Sequence, residues 1–176
     1  MGENDTGLVS YAGTYAGLTN LAANGDELIA VPGGTDPAIL PDQPAQVTGS
    51  VFINADFGDN AVNGAVFDRT FVNLDPNVSA QIGGDQLDDV VLTSTGIEED
   101  GTFFGVAENP ALEGIGSYGG TFGGTEASGV AGIVALDGDF IPNIDEEAEY
   151  GVFVLNQCGQ PGDAAICDAI PVNPNP

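Results

Sequence analysis

His, Lys and Trp are absent from the sequence, and Arg69 is its only basic residue. Each absence closes a class of function. Without His or Lys there is no Ser-His-Asp triad, no Cys-His pair and no Schiff-base lysine. With nothing to neutralise phosphates, nucleic acid is excluded as a partner, and an anionic membrane surface falls for the same reason. Ordinary salt bridges are almost unavailable, so stability has to come from burial and backbone pairing. No apolar run approaches the ~20 residues of a transmembrane helix, and no secretory signal pattern is present. Met1-Gly2 running straight into polar residues reads as a start placed on a mature chain, its targeting sequence and any lipid-anchoring cysteine removed.

What the sequence does contain is acid. There are 27 Asp and Glu, for a net charge of -26, alongside 42% hydrophobic residues. That apolar content excludes a disordered polyanion, and 176 residues suit one domain with a real core. Self-repulsion at this charge density is strong in dilute buffer. It eases as the Debye length falls from about 10 Å at 0.1 M salt to about 3 Å at 1 M. A saline habitat would suit the chain, and acid that merely keeps a surface protein soluble accounts for it equally well. Cys158 and Cys167 stand in QCGQPGDAAICDA, a Gly/Pro/Asp-rich stretch without further metal ligands of the usual kind. A disulfide between them is expected, and with it an oxidising, extracytoplasmic compartment.

Helical periodicity is scarce, and 27 Gly and 11 Pro are spread throughout. Alternation and short β-branched or aromatic bursts predict eight strands: Leu8–Leu18, Val47–Ala55, Ala61–Phe67, Val90–Gly96, Thr102–Ala107, Ile115–Phe122, Gly129–Asp137 and Tyr150–Asn156. FGDN (57–60), EEDG (98–101) and GGTEAS (123–128) carry the turn chemistry that joins consecutive strands. With no βαβ alternation, the predicted fold is all-β. It is a single eight-stranded antiparallel up-and-down barrel, with a two-sheet sandwich as the alternative. In GSVFINADF, Val51, Ile53 and Ala55 share one face, and Phe52 and Asn54 the other. The barrel domain is expected over residues 1–158. Asn24–Pro44 reads as a long Pro-rich loop, Asn73–Asp89 as a polar connection, and 159–176 as a Gly/Pro-rich, disulfide-closed tail with an extended or disordered end.

Three stretches resemble the barrels of the transferrin-binding-protein-B-like family. NADFGDNAVNGAV (54–66) is similar to a hairpin in which Asp56, Phe57 and Gly58 end one strand and Gly64 opens the next. DGTFFGVA (100–107), with Gly101, Phe103 and Gly105, resembles the Gly-x-Phe-x-Gly strand that follows. In GGTFGGTEASGVAGIV (119–134), Phe122, Gly124, Ala127, Val130 and Gly132 fall at the spacings of the family's strand-turn-strand motif. Gly123 stands there for a second aromatic, Thr125 for a Pro and Gly129 for an acid. The resemblance covers roughly residues 45–156. It implies a surface lipoprotein of Gram-negative bacteria, at the outer membrane or secreted, that grips a protein or solute in nutrient or iron acquisition. On the residues themselves, Gly near alternate barrel positions permits close backbone approach, and Phe57, Phe67, Phe103, Phe104 and Phe122 are expected to fill a narrow interior.

The chemistry left to such a composition is limited. No enzyme activity and no required cofactor are expected, though calcium could sit on Asp137, Asp139, Asp145 and Glu146, in LDGD and IDEEAE. A glycosidase would need paired carboxylates, drawn from Asp56 or Asp59 with Glu98 or Asp100. Haem or iron could be held only by Tyr11, Tyr15, Tyr118, Tyr150 or Met1. Tyr11 and Tyr15 instead read as one face of an alternating strand. Arg69 is expected to pair with Asp68 or a cross-strand acid. The function that follows is a non-catalytic binding module, expected to be monomeric, for a protein or solute of unknown identity. The alternative is a subunit of an extracellular layer or filament, pairing its loop or tail with a neighbour's sheet edge.

Overall fold

Glu149–Gln157 (β8) shows in miniature how this sequence builds its fold. Glu149, Gly151, Phe153 and Leu155 are buried, while Tyr150, Val152, Val154 and Asn156 are exposed, a strict period of two. The computed structural model describes residues 7–23, 32–36, 43–138, 140, 141 and 143–169. Seven further strands follow the same rule: β1 (Leu8–Ala22), β2 (Pro44–Asp56), β3 (Ala61–Phe71), β4 (Val90–Gly96), β5 (Thr102–Glu108), β6 (Gly114–Gly123) and β7 (Gly129–Leu136). Each pairs antiparallel with the next, and β1 closes on β8 in a single closed barrel. The sandwich alternative is thereby excluded. All eight predicted strands are present, most extended by a few residues, and Asp137 lies just beyond its strand.

Up-and-down order gives the barrel two ends. The 57–60, 97–101 and 124–128 turns share the first end with the segment after β8. The 72–89, 109–113 and 137–148 connections share the second, where β1 ends and β2 begins. The interior is packed solid. Val51, Ile53 and Ala55 point inward as expected, joined by Tyr11, Tyr15, Tyr118, Phe103, Phe153, Leu92, Val134 and Leu155, all at most 3% exposed. Burying each apolar side chain of this size contributes roughly 1.5–3 kcal/mol. Room for the rings comes from inward-facing glycines. A Cβ on Gly120 would stand 2.6 Å from Phe103 Cζ, and one on Gly151 would collide with the Tyr15 ring. Aromatic residues therefore lie across bare backbone, and side chains fill the lumen.

Three of the five Phe residues expected inside are elsewhere. Phe104 is 73% exposed because strict alternation after inward Phe103 turns it out. Phe67 follows inward Val66 and faces outward, half-buried. Phe57 belongs to the first-end turn, where its ring meets Phe122 edge-on at 5.1 Å. Phe122 in turn contacts Tyr11 at 5.5 Å and Phe103 at 5.2 Å between ring centroids, so an aromatic cluster stoppers that end.

The polar connection after β3 contains a short helix, α1 (Pro76–Ile82). Asp75 caps it by accepting from the Asn77 N–H at 2.8 Å, Pro76 occupies its first turn, and Gly83 ends it in the left-handed region at φ 90°. Cys158 and Cys167 are disulfide-bonded. The bond folds residues 159–169 back against β1 through a 3-10 turn at Ala165–Asp168, giving the disulfide-closed tail expected there. Residues 170–176 lie outside the described residues.

Candidate functional site

The one base is the deepest departure from expectation. Val62 and Val66 point inward along β3, which would place Arg69 outside and Asp68 inside. Between Thr48 and Ser50 of β2, however, β3 runs from Thr70 to Phe67, one residue more than its partner. That bulge, with Asp68 at φ 52°, shifts the alternation and turns Arg69 inward. Arg69 is 1% exposed, and its Nη2 donates to Glu149 Oε2 at 2.6 Å. Neither Asp68, which is exposed, nor an acid on a neighbouring strand is its partner; the pair spans the interior from β3 to β8. Arg69 Nη1 also donates to the Asp88 carbonyl at 2.6 Å, and Tyr15 Oη donates to Glu149 Oε1 at 2.7 Å. Burial, reinforced by the Glu149 charge, raises the Tyr15 pKa far above its ordinary value. Beside this group Glu147, 2% exposed, accepts from the Phe140 and Ile141 N–H groups through Oε1 at 2.6 and 2.7 Å, holding the 137–148 connection. The second end is thus closed by a buried polar group under an apolar cover. A pocket of about 210 Å³, lined by Ile82, Gln86, Leu87, Asp88, Phe140 and Ile141, lies against that cover.

The residues of the resemblance motifs form turns and inner wall. Asp56 Oδ1 accepts from the Gly58 N–H at 2.8 Å and the Asp59 N–H at 3.2 Å, shaping the β2–β3 turn. Gly64 lies so close to the Phe52 carbonyl that a Cβ would collide with it, and Gly105 and Gly132 lie under the rings of Tyr118 and Phe153. Gly101 and Gly124 take positive φ of 80° and 81° in their turns. Ala127 accepts from Tyr11 Oη at 2.7 Å through its carbonyl, and Val130 is buried. Burial pushes the Tyr11 and Tyr118 pKa values up to about 12. Of the four tyrosines only Tyr150 faces outward; Met1 lies outside the described residues.

Asp59, Glu98 and Asp100, offered as glycosidase acids with Asp56, stand on exposed first-end turns. The Thr102 hydroxyl and N–H bond Asp100 Oδ1 and hold its carboxyl below the ordinary value. Asp137, Asp145 and Glu146, the acids weighed for calcium, are exposed, and Asp139 lies outside the described residues. Among the described residues no group of three or more acids, Cys or His is placed to hold an ion.

The arrangement of the acids is more telling than any pair of them. Of the acids among the described residues, only Asp56, Asp68, Glu108 and Glu149 lie within strands, three of them at strand ends. The other described acids belong to the connections and to the segment after β8. With Arg69 buried, no basic side chain is exposed among the described residues. The molecule therefore presents two anionic ends separated by an almost uncharged wall. Sequence reading saw the number of acids but not this segregation, which emerges only once strand limits are set.

No protein-family model matches the chain, and no curated protein sequence matches it. Among solved structures, it is similar to a double mutant of transferrin binding protein B from Haemophilus parasuis Hp5. The match has 17% identity, covers 88% of this chain and 26% of that one, and has a TM-score of 0.49. Intact Ap-TbpB, with its N and C lobes, matches at 17% identity over 86% of this chain and 26% of that one, TM-score 0.46. The isotype 1 protein from serogroup B Neisseria meningitidis matches at 19% over 88% and 26%, TM-score 0.44. These similarities are to transferrin-binding-protein-B structures, of whose length this chain spans about a quarter.

Proposed function

We propose that the chain is a non-catalytic, extracytoplasmic binding module that takes a protein partner at an acidic end of its barrel. The segregation of acid to the two ends carries this reading, because it confines the field of the molecule to two surfaces that attract a cationic contact. The filled interior supports it by leaving no lumen for a solute. The pocket of about 210 Å³ is smaller than the roughly 300–1,000 Å³ of ordinary ligand sites. The Cys158–Cys167 disulfide supports an oxidising compartment. Assembly by strand addition is disfavoured, since closure of β1 on β8 leaves no free sheet edge to extend.

The test is capture of extracellular proteins on the immobilised chain, followed by titration of the captured protein against charge-reversed variants. Glu98→Lys with Glu99→Lys alters the first end, and Asp88→Lys with Asp89→Lys the second. One of these pairs is expected to weaken binding at least about tenfold, with an affinity that falls as salt rises. Binding that ignores both pairs and the salt concentration overturns the proposal.

A further inference from the structure

The uncharged wall is two surfaces with different chemistry. On β2–β4 the outward residues include the short polar Thr48, Ser50, Asn54, Asn63, Thr93 and Thr95, and the aromatic ones among them, Phe52 and Phe67, are half-buried. On β5–β8 they include Phe104, Val106, Ile133, Tyr150, Val152 and Val154, each between 48% and 77% exposed. Strand propensity does not require this much exposure, because on the other side the outward Phe52 and Phe67 are half-buried among Thr, Ser and Asn. The apolar residues are contiguous. Phe104 pairs with Gly119, Gly119 with Ile133, Ile133 with Val152, and Val152 with Ala16 of β1. One row over, Val106, Ser117, Ala135, Tyr150 and Leu18 are linked in the same way. The six large side chains on β5–β8, each half to three-quarters exposed, make a patch of ~600 Å². That stands at the top of the roughly 300–600 Å² range of the largest patch on a typical monomer, and matches the ~600 Å² per partner of a weak, reversible interface.

We propose that this β5–β8 wall is a homodimer interface, covered by a second copy of the chain. Charge argues for that occupant. Two copies each carrying -26 can approach closely only where neither presents acid, and the wall between the ends is that place. Shape argues for it too. The outward row of β8 (Tyr150, Val152, Val154) stands high, while that of β6 (Ser117, Gly119, Thr121) is low, with Phe104 leaning over Gly119 along one side. Both rows have three positions at the same two-residue spacing. A two-fold axis can set each copy's high row against the other's low one, as a self-complementary patch requires. This surface is distinct from the acidic ends, so its test stands apart from the reading above.

Sedimentation velocity over a concentration series, in about 0.05 M and about 1 M NaCl, decides the matter. The expected result is a reversible dimer at least about tenfold tighter in the higher salt, where repulsion between the ends is screened. Val152→Glu and Val154→Glu, at exposed positions, should stay monomeric in both buffers while keeping the wild-type circular dichroism. Val154→Thr, a milder change, should weaken the dimer and guards against a folding defect in the charged variants. Asn63→Glu on β3, an exposed position on the opposite side of the barrel, should leave it intact. A wild-type monomer throughout, or a dimer indifferent to changes at Val152 and Val154, overturns the proposal.

Discussion

At the scale of single residues, Arg69 and Glu149 matter most. A buried ion pair is poor evidence for net stability, because desolvation offsets much of the attraction; removing one partner nevertheless strands the other and costs about 3–5 kcal/mol. Arg69→Met and Glu149→Leu should therefore each lower the free energy of unfolding in urea by roughly 3 kcal/mol or more, and the double variant should lose less than the sum. Additive losses would show that the two side chains do not depend on each other. Tyr15→Phe, which leaves Glu149 Oε1 without its hydroxyl donor, should cost about 1–3 kcal/mol. None of this was legible in DRTF. Alternation read straight through Asp68, and only the extra residue in the β3 register puts the guanidinium inside. Tyr11 and Tyr15 were readable because β1 has no such irregularity between them.

Elements were easier to read than their exceptions. Period two runs through most of the strand residues, broken in β3 at Asp68, and FGDN, EEDG and GGTEAS each mark a real turn, so the order of the barrel followed from the sequence. Helix α1 did not, because seven residues show too little periodicity; its true signals were Asp75-Pro76 at one end and Gly83 at the other. The disulfide of the segment after β8 was legible in the spacing of Cys158 and Cys167; the Ala165–Asp168 turn that docks it on β1 was not. A loop this short still restricts the unfolded chain. Replacing both cysteines by Ser should lower stability by about 2–3 kcal/mol, read as a lower midpoint in denaturant with little change in slope. An unchanged midpoint would show that the docked segment holds without its covalent tie.

For the whole molecule, the acidic ends set the response to solvent. Their mutual repulsion weakens with screening, so the melting temperature should rise from dilute buffer to about 1 M NaCl, at protein concentrations low enough to keep association out of the measurement. A further rise with calcium at constant ionic strength would mark a specific ion site. Acidification towards the pI near 4.1 also removes repulsive charge, so mild acid should leave the fold standing. A melting temperature flat in NaCl that falls steadily between about pH 7 and about pH 5 contradicts both expectations. The charge was visible in the composition from the outset; its collection at two ends needed the strand limits. Closure of β1 on β8 also governs how the chain reaches this state. The ladder that seals the barrel joins Tyr11 to Gln157 and Thr19 to Glu149, contacts between opposite ends of the sequence. Such distant pairing makes for slow folding, and until β8 is available the other strands form an open sheet with two sticky edges. A nascent chain cannot complete its barrel until β8 has been made, and during that wait its net negative charge opposes association between unfinished molecules.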